Sequence, residues 1–224
     1  MVLNMSKPVQ QKIALLLMAA GSSSRLGQPK QLIEITEAQK LPKSLLHRQI
    51  CLMGSICTSI NAKAYCVLGF ESETMITHIG NCTSAQHLTL VDNADWSQGL
   101  SNSIAKGVNS IGCDVSAVLI FLVDQWQLSF EDLTTLIEQW KKHPECIHVA
   151  SFSDSFSPPV IFPRRFFKEL IELNGDDGAK KVIKDNIKHV KAIEMPTAFV
   201  DLDTPEQLNN FKNNINLNNE GIKL

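Results

Sequence analysis

The chain has no C-x-x-C pair among its six cysteines, no histidines at ligand spacing, no apolar run of bilayer length and almost no charge imbalance. Each absence removes a class of protein. Without paired cysteines or spaced histidines there is no zinc site, and Cys51, Cys57, Cys66, Cys82, Cys113 and Cys146 read as small buried hydrophobes of a reducing compartment. A net charge of -2 gives no general basic field for nucleic acid, so an anionic ligand must be held by local groups. One lysine and a polar Val9-Gln10-Gln11 stretch near the start do not make a signal peptide, and the apolar run that follows is too short to span a bilayer. The expectation is a cytoplasmic protein with neither membrane nor nucleic acid as partner. Two phosphate-binding fingerprints are missing as well. There is no G-x-x-x-x-G-K-[ST], and no G-x-G-x-x-G, which argues against a dinucleotide-dependent oxidoreductase. No internal repeat or shift of composition marks a second domain. The expected organisation is an extension over 1–11, one domain over 12–212 and an asparagine-rich, frayed tail over 213–224.

What is present is an alternation of strands and helices. Ile13–Ala20 and Ala117–Val123 are continuous apolar runs, as strands covered on both faces would be. Ala62–Phe70, His87–Val91 and Ile147–Phe152 read as further strands. Between them the spacing predicts helices over Lys43–Ile60, Glu71–Gly80, Ser97–Ile111 and Leu128–Lys142, the last with Ser129 as its N-cap. The pattern is α/β: a single Rossmann-like domain with a mostly parallel, mixed sheet and helices on both faces. The last third is less regular. Ser157-Pro158-Pro159 breaks the chain, Pro163–Leu173 and Gly175–Asn186 suggest helices, His189–Met195 and Ala198–Asp201 suggest strands, and Thr204-Pro205-Glu206 starts a final helix.

The first strand runs into Gly21-Ser22-Ser23-Ser24-Arg25, with Lys30 just beyond. In an open α/β sheet the ligand crevice lies past the carboxyl ends of the strands. Gly21 lets backbone approach an anion, N–H groups of Ser22, Ser23 and Ser24 suit phosphate oxygens, and Arg25 and Lys30 add charge-assisted contacts. An ordinary surface turn with two solvated cations fits these residues equally well.

Longer matches separate the two readings. Leu17-Met18-Ala19-Ala20-Gly21-Ser22-Ser23-Ser24-Arg25-Leu26-Gly27-Gln28-Pro29-Lys30-Gln31-Leu32 resembles the signature L-A-A-G-x-x-x-R-x-G-x-x-K-x-L of the nucleotidyltransferases. The segment is most similar to the molybdenum cofactor guanylyl- and cytidylyltransferases. Trp96-Ser97-Gln98-Gly99-Leu100-Ser101-Asn102-Ser103 resembles the W-x-x-G-M-x-x-S of the cytidylyltransferase branch, and Val123-Asp124-Gln125 stands where that branch has G-D-Q-P. Pro159-Val160-Ile161-Phe162, Leu173-Asn174-Gly175-Asp176-Asp177-Gly178-Ala179 and Val200-Asp201-Leu202-Asp203-Thr204-Pro205-Glu206 resemble its P-V-L-F, L-x-G-D-x-G-A-R and D-I-D-T-P-E-D runs, in the same order.

The resemblance implies transfer of CMP from CTP to the phosphate of molybdenum-carrying molybdopterin, with Mg²⁺ and release of pyrophosphate. It implies catalytic roles for Arg25, Lys30 and Asp124. It implies a nucleotide site of Ala19, Ala20, Gly21, Ser22, Ser23, Ser24, Arg25, Lys30, Gly99, Ser101, Ser103 and Asp124. Gly175, Asp176 and Gly178 would face the acceptor. Asp124 and Asp203 would hold the metal, with Asp201 as second choice. A transient contact with a molybdoenzyme or its accessory protein would deliver the product. The departures are Val123 for the usual glycine, Trp126 for proline, Ser157 and Pro158 where a glycine precedes P-V-x-F, and Lys180 for arginine. They gather on the acceptor side. Alternatives are a sugar-phosphate acceptor, GTP as donor, or a carrier that holds nucleotide or pterin without turnover.

Overall fold

The computed structural model describes residues 11–35, 43–80, 82–175, 177–202, 204 and 206–208. The expected final helix at Thr204, the extension and the tail fall largely or wholly outside them. The strands are β1 (Ile13–Met18), β2 (Glu34–Ile35), β3 (Lys43–Ser44), β4 (Lys63–Leu68), β5 (Leu88–Asp92), β6 (Ala117–Leu122), β7 (Ile147–Phe152), β8 (Ser155–Pro163) and β9 (Val190–Glu194). The helices are α1 (Leu45–Ile60), α2 (Ser72–Ile79), α3 (Leu100–Asn109), α4 (Phe130–Lys142), α5 (Phe167–Ile171) and α6 (Lys180–Asp185).

Seven strands form one sheet in the order β5-β4-β1-β6-β8-β7-β9, and β2 and β3 make a separate antiparallel pair. Parallel pairing of β1 with β4 and β6, and of β4 with β5, brings four carboxyl ends to one edge. All six residues of β1 are buried, which is why the strand shows no in-and-out alternation. One sheet face is covered by α1, α2 and α4 through side chains such as Ile50, Met53, Met75, Leu136 and Trp140. The other is covered by α3, α5 and α6 through Ile104, Val108, Leu170 and Val182. The single α/β domain expected from the sequence is the one observed.

Caps explain the helix starts. Ser44 accepts from His47 N–H at 3.1 Å, and Ser129 with Asp132 forms a reciprocal capping box on α4. The expected helix from Ser97 begins later: Trp96–Gln98 is a 3₁₀ turn, and Gly99, at φ 101°, separates it from α3.

The largest departure is β8. Ser157-Pro158-Pro159 does not end the sheet; a central strand runs through it. Ile120↔Val160 is the last β6–β8 pair, so both prolines lie past that ladder. On the other side the register jumps from Val149↔Val160 to Ala150↔Ser157, leaving Pro158 and Pro159 in a bulge where no N–H is required. Ser153 and Asp154, both with positive φ, close the β7–β8 hairpin. The expected strand over Ala198–Asp201 is absent. Pro196–Phe199 is a 3₁₀ turn instead, because Pro196 supplies a fixed φ and no N–H to a ladder. The two expected C-terminal helices are shorter than the periodicity suggests and form α5 and α6.

Candidate functional site

At the carboxyl edge of the sheet, the loop after β1, the turn after β6 and the start of α3 enclose a cleft of about 410 Å³. Ala19, Ala20, Gly21, Ser22, Arg25, Lys30, Gly99, Ser103 and Asp124 line it, so residues from three separate sequence segments converge there.

The loop after β1 is held in shape by its own side chains. Ser23 takes a left-handed conformation at φ 56° and Gly27 another at φ 73°, bracketing the 3₁₀ turn Ser24–Leu26. Ser23 Oγ accepts from the Lys30 N–H at 3.1 Å, so this hydroxyl closes the loop and does not face the cleft. Ser24 is exposed outside the cleft lining as well. Gln31 is 1% exposed and donates through Nε2 to both Ala19 O and Gly21 O, each at 2.8 Å. One carboxamide thereby fixes the two carbonyls that flank Ala20. Sequence reasoning passed over Gln31 because it occupies an unspecified position of the signature. A polar residue placed between a cation and the apolar Leu32-Ile33 was the available signal.

Across the cleft, Asp124 follows β6 and is tied to β1 by the Val123 N–H on Met18 O at 3.2 Å. Lys30 Nζ lies 2.5 Å from Asp124 Oδ2, in side chains that are 17% and 8% exposed. Asp124 Oδ1 is buried and accepts no hydrogen bond from the described residues. A carboxylate oxygen left without a donor is costly unless a cation or water meets it. The donor set therefore fits a hard divalent ion that takes one carboxylate oxygen and completes its shell with phosphate and water. Asp203 lies outside the described residues. Asp201 is exposed and does not line the cleft. Among the described residues no three His, Cys, Asp or Glu side chains gather into a metal-binding group.

Gln125, next in the chain, joins this turn to the rest of the domain. Its Oε1 accepts from the Leu122 N–H at 3.0 Å, and its Nε2 donates to Ala198 O at 2.8 Å and to Pro158 O. From α1, Gln49 Nε2 donates to Gln125 O at 2.8 Å and Arg48 to Leu128 O at 3.1 Å. Trp126 is half-buried beside the aspartate, its N–H on Asp124 O at 2.8 Å.

The third wall is the start of α3. Ser103 lines the cleft and its Oγ accepts from Asn93 Nδ2 at 3.0 Å, inside the protein. Ser101, expected beside a base, is fully buried and outside the lining. Its Oγ accepts from the Gly178 N–H at 3.1 Å and its N–H donates to Gly175 O at 3.3 Å. The hydroxyl is thus committed to the 175–178 turn. Gly175 and Gly178 stand at φ 77° and 57°, Gly178 packs on Leu100, and Asp176 lies outside the described residues. The sequence also gave no hint of Gly69. A Cβ there would fall 2.5 Å from Trp96 Cβ and 2.9 Å from Ala20 O, so glycine is required for the cleft wall to close against the loop. Trp96, packed edge-on against Phe70 at 5.4 Å, lines the same wall.

Comparison with known proteins shows the family of the chain. Residues 15–192 match the model of the MobA-like NTP transferase domain. The purine catabolism protein PucB of Bacillus subtilis (strain 168) is 33% identical over 119 residues, which are 50% of this chain and 56% of that protein. The chain thus aligns with little more than half of that relative's length. A Mycobacterium sp. strain JC1 homologue of Mycobacterium tuberculosis rv0371c superposes with a TM-score of 0.72 at 22% identity, over 92% of this chain and 98% of that one. The 4-diphosphocytidyl-2C-methyl-D-erythritol synthase of Anaerococcus prevotii DSM 20548 has a TM-score of 0.68 at 13% identity, over 92% and 97%. With the family match spanning most of the described domain, the chain belongs to the MobA-like NTP transferase domain family.

Proposed function

We propose that the chain transfers CMP from CTP to the phosphate of molybdenum-carrying molybdopterin, releasing pyrophosphate. The observation that carries the reading is the Lys30–Asp124 pair at the cleft, with the buried Asp124 Oδ1 given no hydrogen bond by the described residues. Backbone N–H groups of Gly21 and Ser22, with the Arg25 guanidinium, bind the triphosphate. Lys30 holds its ammonium where charge builds on the α-phosphate, an interaction that gains strength in the transition state. Asp124 would hold Mg²⁺ through Oδ1, and the ion, when bound, supplies neutralisation of phosphate charge. Gly99 and Ser103, with Trp96, form the wall against which the nucleobase rests. Gly175 and Gly178 form the turn nearest the acceptor.

The donor and acceptor choices draw on the pyrimidine-branch match over Trp96–Ser103 and on PucB, whose name places it in purine catabolism. The product implied by the resemblance is the dinucleotide cofactor of hydroxylases related to xanthine dehydrogenase. The test incubates the protein with Mg²⁺, each nucleoside triphosphate in turn and molybdenum-loaded molybdopterin, following pyrophosphate. Release with CTP alone is expected. Release only with GTP or only with a sugar phosphate would reassign donor or acceptor, and binding without release would make the chain a carrier.

A further inference from the structure

Three consecutive carbonyls of the loop after β1 are turned into the protein. Gln31 Nε2 donates to Ala19 O and Gly21 O, each at 2.8 Å, and the Phe70 N–H donates to Ala20 O at 3.0 Å. Across a trans peptide a carbonyl and the N–H that follows it point in opposite directions. The N–H groups of Ala20 and Ser22 are therefore turned away from Gln31, and that of Gly21 away from Phe70. Ala20, Gly21 and Ser22 all line the cleft, and none of their three N–H groups has an acceptor among the described residues. Ala20 is 4% exposed, so a donor left open there is costly unless a ligand or an ordered water meets it. Gln31 itself is matched at one end only: its Oε1 is buried and has no donor among the described residues. An amide kept for stability alone would have both ends satisfied. This one satisfies the end that aims the loop.

We propose that Gln31 is a positioning residue for the triphosphate: by holding Ala19 O and Gly21 O, it keeps the Ala20 and Ser22 N–H groups presented to the phosphate chain. The proposal rests on the triphosphate reading of the cleft given above. A peptide flip at either position would swing a carbonyl oxygen against phosphate oxygens and take the N–H away, and the two bonds from Gln31 prevent both flips. Arg25 and Lys30 attract an anion, whereas oriented N–H groups fix where its oxygens sit. Gln31 follows Lys30 in the 3₁₀ turn Lys30–Leu32, so one short turn delivers the ammonium to Asp124 and the amide to the loop.

The full chain is titrated in a calorimeter, in the presence of Mg²⁺, with inorganic triphosphate, CTP and CMP. Gln31→Met keeps the length of the side chain and removes its donor. Gln31→Glu keeps its shape and, in either protonation state, leaves at least one of the two carbonyls unbound. Both variants are expected to bind inorganic triphosphate and CTP at least about tenfold more weakly, the scale of a hydrogen bond to a charged group. CMP, with a single phosphate, should lose less. Circular dichroism and melting without ligand report the fold separately, and if Gln31→Met does not fold, Gln31→Glu decides. A merely structural role would weaken CMP and CTP alike. Equal losses for the two nucleotides, or undiminished binding of inorganic triphosphate by a folded variant, would overturn the proposal. A parent chain that binds inorganic triphosphate and takes another nucleotide in place of CTP, with the losses at Gln31 intact, supports the proposal and sinks the CTP reading. A parent chain that binds no triphosphate sinks both.

Discussion

Gln125 donates to Ala198 O at 2.8 Å across 73 residues of sequence, joining the turn that carries Asp124 to the far edge of the sheet. The same side chain satisfies Leu122 N–H and Pro158 O. The carboxamide is 1% exposed, so water cannot replace it. Gln125→Leu keeps the volume and strands these groups. A loss of roughly 3 kcal/mol in chemical unfolding is expected, the sum of several buried groups left unpaired. A variant as stable as the parent would remove Gln125 from this role.

Asp124→Asn keeps shape and hydrogen-bonding capacity but not the charge that would hold a divalent ion. Pyrophosphate release should fall by roughly 10²–10³-fold, the scale of losing one preorganised electrostatic contact, with the circular dichroism spectrum unchanged. Lys30→Ala should lower kcat more than it weakens nucleotide binding. Titration calorimetry beside steady-state rates separates the two, and a loss confined to affinity would reduce Lys30 to a ground-state contact.

Gly69→Ala puts a methyl 2.5 Å from Trp96 Cβ and 2.9 Å from the Ala20 carbonyl. Trp96 or the backbone at Ala20 must shift, and the loop after β1 is disturbed with it. The expected cost is about 1–3 kcal/mol of stability together with weaker CTP binding, measured by thermal melting with and without nucleotide. Unchanged nucleotide-induced stabilisation would show that the wall and the loop are independent.

His148 is fully buried in β7, with Nδ1 3.1 Å from Cys146 O and no partner for Nε2 among the described residues. Burial lowers its pKa below the ordinary 6.5. The Cys146 carbonyl and Glu145 oppose the shift, and Lys191 and His143 add to it. The unfolded chain then binds more protons than the folded one below pH 6.5, so stability rises with pH through that window, is complete above it and declines on acidification. Unfolding at about pH 5.5 and about pH 7.5 should show this slope, with part of it removed by His148→Gln. An identical slope in the variant would assign it to other groups.

The parallel half of the sheet was legible because its strands are buried on both faces and carry unbroken apolar runs, as Ile13–Met18 and Ala117–Leu122 do. Ser129 was legible because capping is local chemistry. The convergence of Lys30 and Asp124 rests on pairing between β1 and β6, and only the family signature anticipated it. Pro158 and Pro159 misled because two prolines deny a ladder two N–H groups, and a bulge that makes those groups unnecessary leaves no trace in one sequence. Ser101 looks like a ligand hydroxyl for the same reason it suits its turn: a short side chain that accepts from a backbone N–H. Gly69 was illegible because what it meets is distant in the chain and sterically excluded rather than attracted.

Ser101 is bonded through both its hydroxyl and its amide to the turn between Gly175 and Gly178, while Ser103, two residues on, faces the cleft. The opening turn of α3 is therefore a shared hinge-pin. On the function proposed above, a base resting against Ser103 and an acceptor at the 175–178 turn would be held by opposite ends of one lever, with the spacing between them built into the fold.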